Sequence, residues 1–210
     1  AVGCSQLVCK GENLCGDAVE LFEDGNGRYI AVLSDGMGSG GGAAVDSAMA
    51  AGLAARMLKA GFGYESMLKM INTAIMAKSE DESLATLDIA VINLFTGDFE
   101  LLKAGAGASL LLSHGRITYL SESSLPLGIL HELTFAQTKD RLVDGDVLLI
   151  MSDGVSNGDM YWLENMMREY KGGADTPQEL SMQIAKEAQK RQGEDGKDDV
   201  TVVVLQIEET

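Results

Sequence analysis

Three aspartates in this 210-residue chain sit against apolar runs in a way that suits them to hold cations. Residues 29–34 lead into Ser34-Asp35-Gly36, and residues 147–151 lead into Ser152-Asp153-Gly154. At Asp198-Asp199 the order reverses: the carboxylates come first and Val200-Thr201-Val202-Val203-Val204 follows. In an antiparallel sandwich, the ends of two strands and the start of a third can meet at one edge, which gives Asp35, Asp153 and Asp198 a route to convergence. Asp17, opening the strand before that of Asp35, is a fourth candidate. A single Asp-Gly after a strand reads as a turn. Turns do not require Asp to abut the apolar run each time, so the set of three carries more weight. Carboxylates without imidazole or thiolate are hard oxygen donors, suited to Mg²⁺ or Mn²⁺. Two such ions roughly 3.5–4 Å apart can share a water, lower its pKa and support an in-line displacement at phosphorus. Phosphoryl transfer of that kind needs positioning and charge neutralisation, not a protein nucleophile.

Other chemistries fit less well. Gly36, Gly38 and Gly41 match GxGxxG, which as a dinucleotide-binding turn needs a second parallel strand after the helix. Residues 64–78 carry a helical pattern instead, so the dinucleotide reading stays a minor alternative. The glycines are better read as letting backbone approach a metal, with the Gly36 carbonyl as a ligand. No cysteine is followed by arginine six positions on, and no Gly-x-x-x-x-Gly-Lys-Ser/Thr occurs. Asp144-Gly145-Asp146 precedes its strand and reads as a turn. His114 and His131, the only histidines, cannot furnish a His-rich bimetal site.

These residues need a sheet-rich scaffold. Strands are predicted near 2–9, 16–23, 28–34, 87–95, 98–104, 108–113, 116–120, 134–138, 146–152 and 200–207. Two helices, 42–60 and 64–78, fall together after the third strand. The first carries Met49, Leu53 and Met57 on one stripe; the second carries Met67, Ile71, Ala74 and Ile75. A weaker helix covers about 160–170. Thr176-Pro177-Gln178-Glu179 is a capping box opening a helix with Leu180, Ile184 and Ala188 on one face. Arg191 to Asp199 reads as a loop. Hairpin-scale connections imply antiparallel sheets, and helices grouped in blocks imply a layered α+β sandwich. The length suits one domain over residues 1–210. The lack of an initiator methionine fits either a processed tag or a piece of a longer protein, in the second case its C-terminal part.

Thirty-two acidic against 16 basic residues give a formal charge of −16, which disfavours nucleic acid and anionic membrane as partners and suits divalent cations. Three cysteines, Cys4, Cys9 and Cys15, are too few for a disulfide scaffold and point to a reducing cytoplasm. No apolar run is long enough to span a bilayer.

Five motifs in order carry a family resemblance: Asp35-Gly36-Met37-Gly38, Ala85-Thr86-Leu87-Asp88, Leu125-Pro126-Leu127-Gly128-Ile129, Ser152-Asp153-Gly154 and Asp198-Asp199-Val200-Thr201. The chain resembles the metal-dependent protein phosphatases (PPM/PP2C-like), specifically their stage II sporulation protein E branch. The resemblance implies a four-layer α-β-β-α sandwich and a serine/threonine phosphatase with two Mn²⁺ or Mg²⁺. It implies that Asp35 bridges the metals, that Gly36 gives its carbonyl to one, that Asp153 and Asp198 complete the other, and that Asp17 sits beside them. Thr86 and the Pro126 loop become positioning elements. Eukaryotic relatives hold the phosphate with an Arg near the first strand, which the sporulation branch lacks; Lys10 is the one cation there, a candidate phosphate contact although its simpler reading is an exposed lysine. The implied substrate is the phosphoserine form of an anti-anti-sigma factor, in sporulation signalling. The implied location is cytoplasmic, with a membrane tether in an N-terminal region that longer members carry. A rival reading is a signalling module of the same fold with weak or regulated turnover, in which helices 42–60 and 64–78 couple a partner, or a second copy in a homodimer, to the Asp35 loop.

Overall fold

The computed structural model describes residues 1–38, 41–78, 83–121, 124–130, 135–156, 158–193 and 198–208. The first residue of the strand predicted at 134–138 and much of the loop predicted at 191–199 lie outside them. The chain is α+β, with two five-stranded antiparallel sheets flanked by helices. It divides into two compact units, each built around one sheet.

The unit spanning residues 16–106 and 122–140 contains β2 (Asp17–Glu23), β3 (Arg28–Asp35), β4 (Leu87–Asn93), β5 (Asp98–Ala104) and all but the last residue of β8 (Ala136–Arg141), in the order β2-β3-β4-β5-β8. Helices α1 (Gly41–Lys59) and α2 (Tyr64–Lys78) cover one face. Ile30, Val32, Ile89 and Val91 project into their core, and the alternate residues Ala31, Leu33 and Ala90 are buried too. Burial on both faces is why β3 and β4 read as continuous apolar runs.

Helix α1 departs from the expected stripe. Its buried side is Ala43, Ser47, Ala50, Ala51, Ala54, Ala55 and Leu58, with Met57, whereas Met49 and Leu53 are only partly buried. Small side chains let the helix axis come close to the sheet, so the tightest packing falls on residues that a search for large apolar spacing passes over. Helix α2 buries Met67, Ile71 and Ile75 as expected, and also Asn72.

The other unit takes in residues 1–15, 107–121 and 141–210. Its sheet runs β1 (Val2–Leu7), β10 (Val200–Gln206), β9 (Val147–Met151), β6 (Ser109–Ser113), β7 (Arg116–Leu120). Helices α3 (Asp153–Ser156), α4 (Tyr161–Glu169) and α5 (Pro177–Arg191) pack Val155, Leu163, Met167, Leu180 and Ile184 on Val202, Val204 and Leu149. The capping box forms: the Thr176 hydroxyl accepts from Glu179 N–H at 3.2 Å, and Glu179 accepts from Thr176 N–H at 2.8 Å. Among the described residues no helix is long and apolar enough to cross a membrane.

Candidate metal centre

In the first of these units the sheet register sets Asp17 directly opposite Asp35, as Cα partners on β2 and β3. Directly opposed residues share a face with Cβ atoms about 4.5–5.5 Å apart, and like charges so placed destabilise a ladder. Asp17 is buried, at 6% exposure, and Asp35 is half-buried. A cation shared between two such carboxylates removes that cost.

The backbone around Asp35 is pinned on both sides. Asp35 N–H donates to Thr86 Oγ1 at 3.0 Å, Thr86 N–H donates back to the Asp35 carbonyl at 2.8 Å, and Ser34 Oγ donates to the Thr86 carbonyl at 2.7 Å. Gly36 N–H donates to Gly16 O at 3.2 Å, tying the turn to the residue before Asp17. Gly36 does not occupy the left-handed region. Its role is space: an added Cβ would lie 2.0 Å from the Ala43 carbonyl oxygen in the first turn of α1.

A run of hydrogen bonds connects α2 to the same residues. The buried Asn72 accepts from Gly128 N–H at 2.8 Å and donates to the Leu130 carbonyl at 2.7 Å. Leu127 exchanges backbone bonds with Ala85 at 2.9 and 3.3 Å, and Thr86 follows in sequence. Pro126 abuts Gly105, where an added Cβ would meet the Pro126 Cα at 2.5 Å. Thr86 and the Pro126 loop are therefore parts of one brace behind Asp35. Sequence reasoning missed Asn72; the one available signal was an Asn inside the buried stripe of an amphipathic helix.

In the other unit, Asp153 and Asp198 stand at adjoining ends of paired strands. β9 and β10 are antiparallel with Met151 opposite Val202. The pairing is extended by Ser152 N–H to Thr201 O at 3.0 Å and Thr201 N–H to Ser152 Oγ at 2.9 Å. Asp153 is exposed and opens helix α3, where the sequence suggested a turn. Gly154 again is a close approach, with an added Cβ placed 2.0 Å from the Asp199 carbonyl oxygen. Gln192 Nε2 donates to the Gly154 carbonyl at 2.9 Å. Asp198 Oδ1 accepts from Asp199 N–H at 3.0 Å, and Asp199 Oδ1 accepts from Cys9 N–H at 2.8 Å. Lys10 follows on an exposed turn after β1, beside that tie.

The electrostatics there are anionic. Burial, then the charges of Asp199, Glu12 and Asp198, push the Cys9 thiol above its ordinary range, away from the thiolate a cysteine nucleophile needs. Asp17, Asp35 and Gly36 thus come together in one unit, and Asp153 and Asp198 in the other. Among the described residues no group of three or more His, Cys, Asp or Glu could by itself hold a metal ion. The donors each unit offers are all carboxylate and carbonyl oxygens, a set that fits Mg²⁺ or Mn²⁺. The dinucleotide alternative fails at β4, which pairs antiparallel to β3 and so closes no parallel β-α-β unit.

The family model described as stage II sporulation protein E (SpoIIE) matches residues 25–208. The chain belongs to this family. Stage II sporulation protein E of Bacillus subtilis (strain 168) is 29% identical over 214 residues, covering 99% of this chain but 26% of the relative. The chain thus spans about a quarter of that relative's length. The solved PP2C phosphatase domain of Bacillus subtilis SpoIIE, with a fragment of its regulatory domain, is similar at a TM-score of 0.87 and 28% identity, covering all of this chain and 62% of that one. RsbX, solved in complex with magnesium, shares the fold at a TM-score of 0.76 and 24% identity, over 96% of this chain and 92% of its own. Two antiparallel sheets flanked by helices are the architecture of these phosphatase domains, so the expected fold class holds.

Proposed function

We propose that this SpoIIE-family chain is a single catalytic domain that hydrolyses phosphoserine or phosphothreonine on a regulatory protein, with a phosphorylated anti-anti-sigma-type protein as substrate. The observation that carries this reading is the cross-strand pairing of Asp17 with Asp35, an acidic pair, the first buried and the second half-buried, whose backbone is fixed by Thr86 and Gly16. Asp35 and the Gly36 carbonyl would hold one divalent cation, with Asp17 beside them; Asp153 and Asp198 would hold a second. When bound, such ions would lower the pKa of a water and offset charge that develops on the transferred phosphoryl group.

The chain's own contribution is rigidity and exclusion of other chemistry. Ser34, Thr86 and Gly16 fix the Asp35 backbone, and Ser152 with Thr201 fixes the strand ends beside Asp153 and Asp198. The phosphorus–ester oxygen bond breaks, water supplies the new oxygen, and the seryl oxygen leaves with a proton. Lys10 would contact the phosphate. Cys9, with its raised thiol, takes no nucleophilic part.

Phosphate release from a phosphoserine protein should depend on Mn²⁺ or Mg²⁺ and fall at least 100-fold in Asp35→Asn. Undiminished turnover by Asp35→Asn in the presence of chelator would end this reading. A regulated version has its own support in the Asn72 brace, because a displacement of α2 would be felt at Thr86 and Asp35. In that version turnover varies with partner binding or dimerisation.

A further inference from the structure

Helices α4 and α5 enclose a groove of about 590 Å³, open to solvent and within the range of peptide and ligand clefts. The apolar Trp162 and Met166 line it together with the cations Lys186, Lys190 and Arg191. Three of the chain's 16 basic residues therefore fall within six consecutive positions, on a protein whose net charge is −16. The single carboxylate in the groove, Glu187, is already held by Arg191 at 2.8 Å and Lys190 at 3.8 Å. Lys186 makes no ion pair among the described residues and is exposed. The Arg191 guanidinium lies 5.0 Å from the Trp162 ring centroid, so cation and aromatic face are presented as one surface.

Basic residues at a helix C-terminus answer its dipole, and that accounts for Lys190 and Arg191 in the last turn of α5. It does not account for Lys186, which lies before that turn, nor for an indole left half-buried beside it. A positive groove lined by an aromatic ring, on a protein of net charge −16, has a definite complement.

We propose that the α4–α5 groove docks an acidic, leucine- or phenylalanine-bearing segment of the phosphoprotein substrate, with carboxylates on Lys186 and Lys190 and the apolar side chain on Trp162. This rests on the phosphatase reading above. It adds the substrate's chemistry outside the phosphoserine: a flank rich in Glu or Asp. Docking that leaves the phosphoryl group itself untouched lowers KM and leaves kcat unchanged. The attraction is between exposed charges, so salt should weaken it.

Two phosphoserine peptides test the idea, one with a flank of Glu and Leu and the other with each Glu replaced by Gln. The wild-type chain should show a KM at least fivefold lower for the Glu peptide, with the advantage gone at 0.5 M NaCl. The double variant Lys186→Glu, Lys190→Glu should abolish the difference while hydrolysing p-nitrophenyl phosphate at the wild-type rate. Equal KM values for the two peptides, or a preference that survives the double variant, would overturn the proposal. Trp162 is the only tryptophan in the chain, so its fluorescence reports on the groove without any turnover. If neither p-nitrophenyl phosphate nor peptide is hydrolysed, the phosphatase reading fails by itself; a saturable change in Trp162 emission with the Glu peptide but not the Gln peptide still supports docking. Single-stranded DNA producing the same change at the same concentration would mean a site for any polyanion and would also overturn it.

Discussion

Adding one methyl group at Gly36 should damage both the fold and the candidate site. In the wild type the Cβ of Gly36→Ala would lie 2.0 Å from the Ala43 carbonyl oxygen, 2.5 Å from its carbon and 2.8 Å from its Cα. All three are backbone atoms, so no side chain can swing aside. Restoring ordinary contact requires α1 and the end of β3 to separate by roughly 1 Å or more. Overpacking of this kind costs about 1–3 kcal/mol. Asp35 precedes the added methyl directly, and a displacement of roughly 1 Å at a reacting centre can cost on the order of 100-fold in rate. Gly52→Ala is the control within α1. Its Cβ would meet only the far end of Arg56, at 3.6 Å, so the helix should gain about 0.5–1 kcal/mol. Urea denaturation gives the stabilities, and phosphate release from a phosphoserine peptide at saturating Mn²⁺ gives kcat. If Gly36→Ala matches the wild type in both, then the close approach of α1 does not hold Asp35 in place and the reasoning fails.

Three further outcomes follow from the same geometry. Gly154→Ala would drive the Asp199 carbonyl away from α3, so the Mn²⁺ concentration for half-maximal activity should rise at least tenfold, as read from a metal titration. Asn72→Ala removes an acceptor for Gly128 N–H and a donor to Leu130 O, and urea denaturation should register a loss of about 2–3 kcal/mol. Bonds from the Thr176 backbone N–H and hydroxyl hold the Glu179 carboxyl below its usual range. Its folded value lies below its unfolded one, so its stabilisation is complete above about pH 4.3 and disappears as pH falls through the lowered folded value. Melting temperatures of Glu179→Gln and wild type, compared from pH 3 to 7, should therefore differ at neutral pH and converge in acid.

What the sequence discloses here depends on the range of the interaction. The apolar runs of β3, β9 and β10 are legible because both faces of each strand are buried, and Asp35, Asp153 and Asp198 stand out because charge abuts such runs. The α5 cap is legible because Thr176 and Glu179 meet across a single turn. Edge strand β8, Ala136–Arg141, carries no apolar alternation, and its expected span of 134–138 ends three residues short of Arg141. Asn72 is illegible for a different reason. Its partners are backbone groups more than 50 residues away, and backbone groups leave no mark on composition.

The Asp-Gly pairs at Asp35-Gly36 and Asp153-Gly154 join these cases. Read locally, each glycine serves a turn that needs a left-handed residue. Neither Gly36 nor Gly154 is in that region, and each instead lets a carbonyl oxygen from another segment approach its Cα. At Gly36 the visitor is the first turn of α1; at Gly154 it is the residue after Asp198. Each aspartate is thereby anchored on one side by a strand and on the other by a backbone contact that no side chain could share. Rigid placement is what a carboxylate needs in order to hold a cation at fixed distance, and a flexible turn would not supply it. The dipeptide therefore argues for a ligand site through what packs against the glycine, a property that only the folded chain possesses.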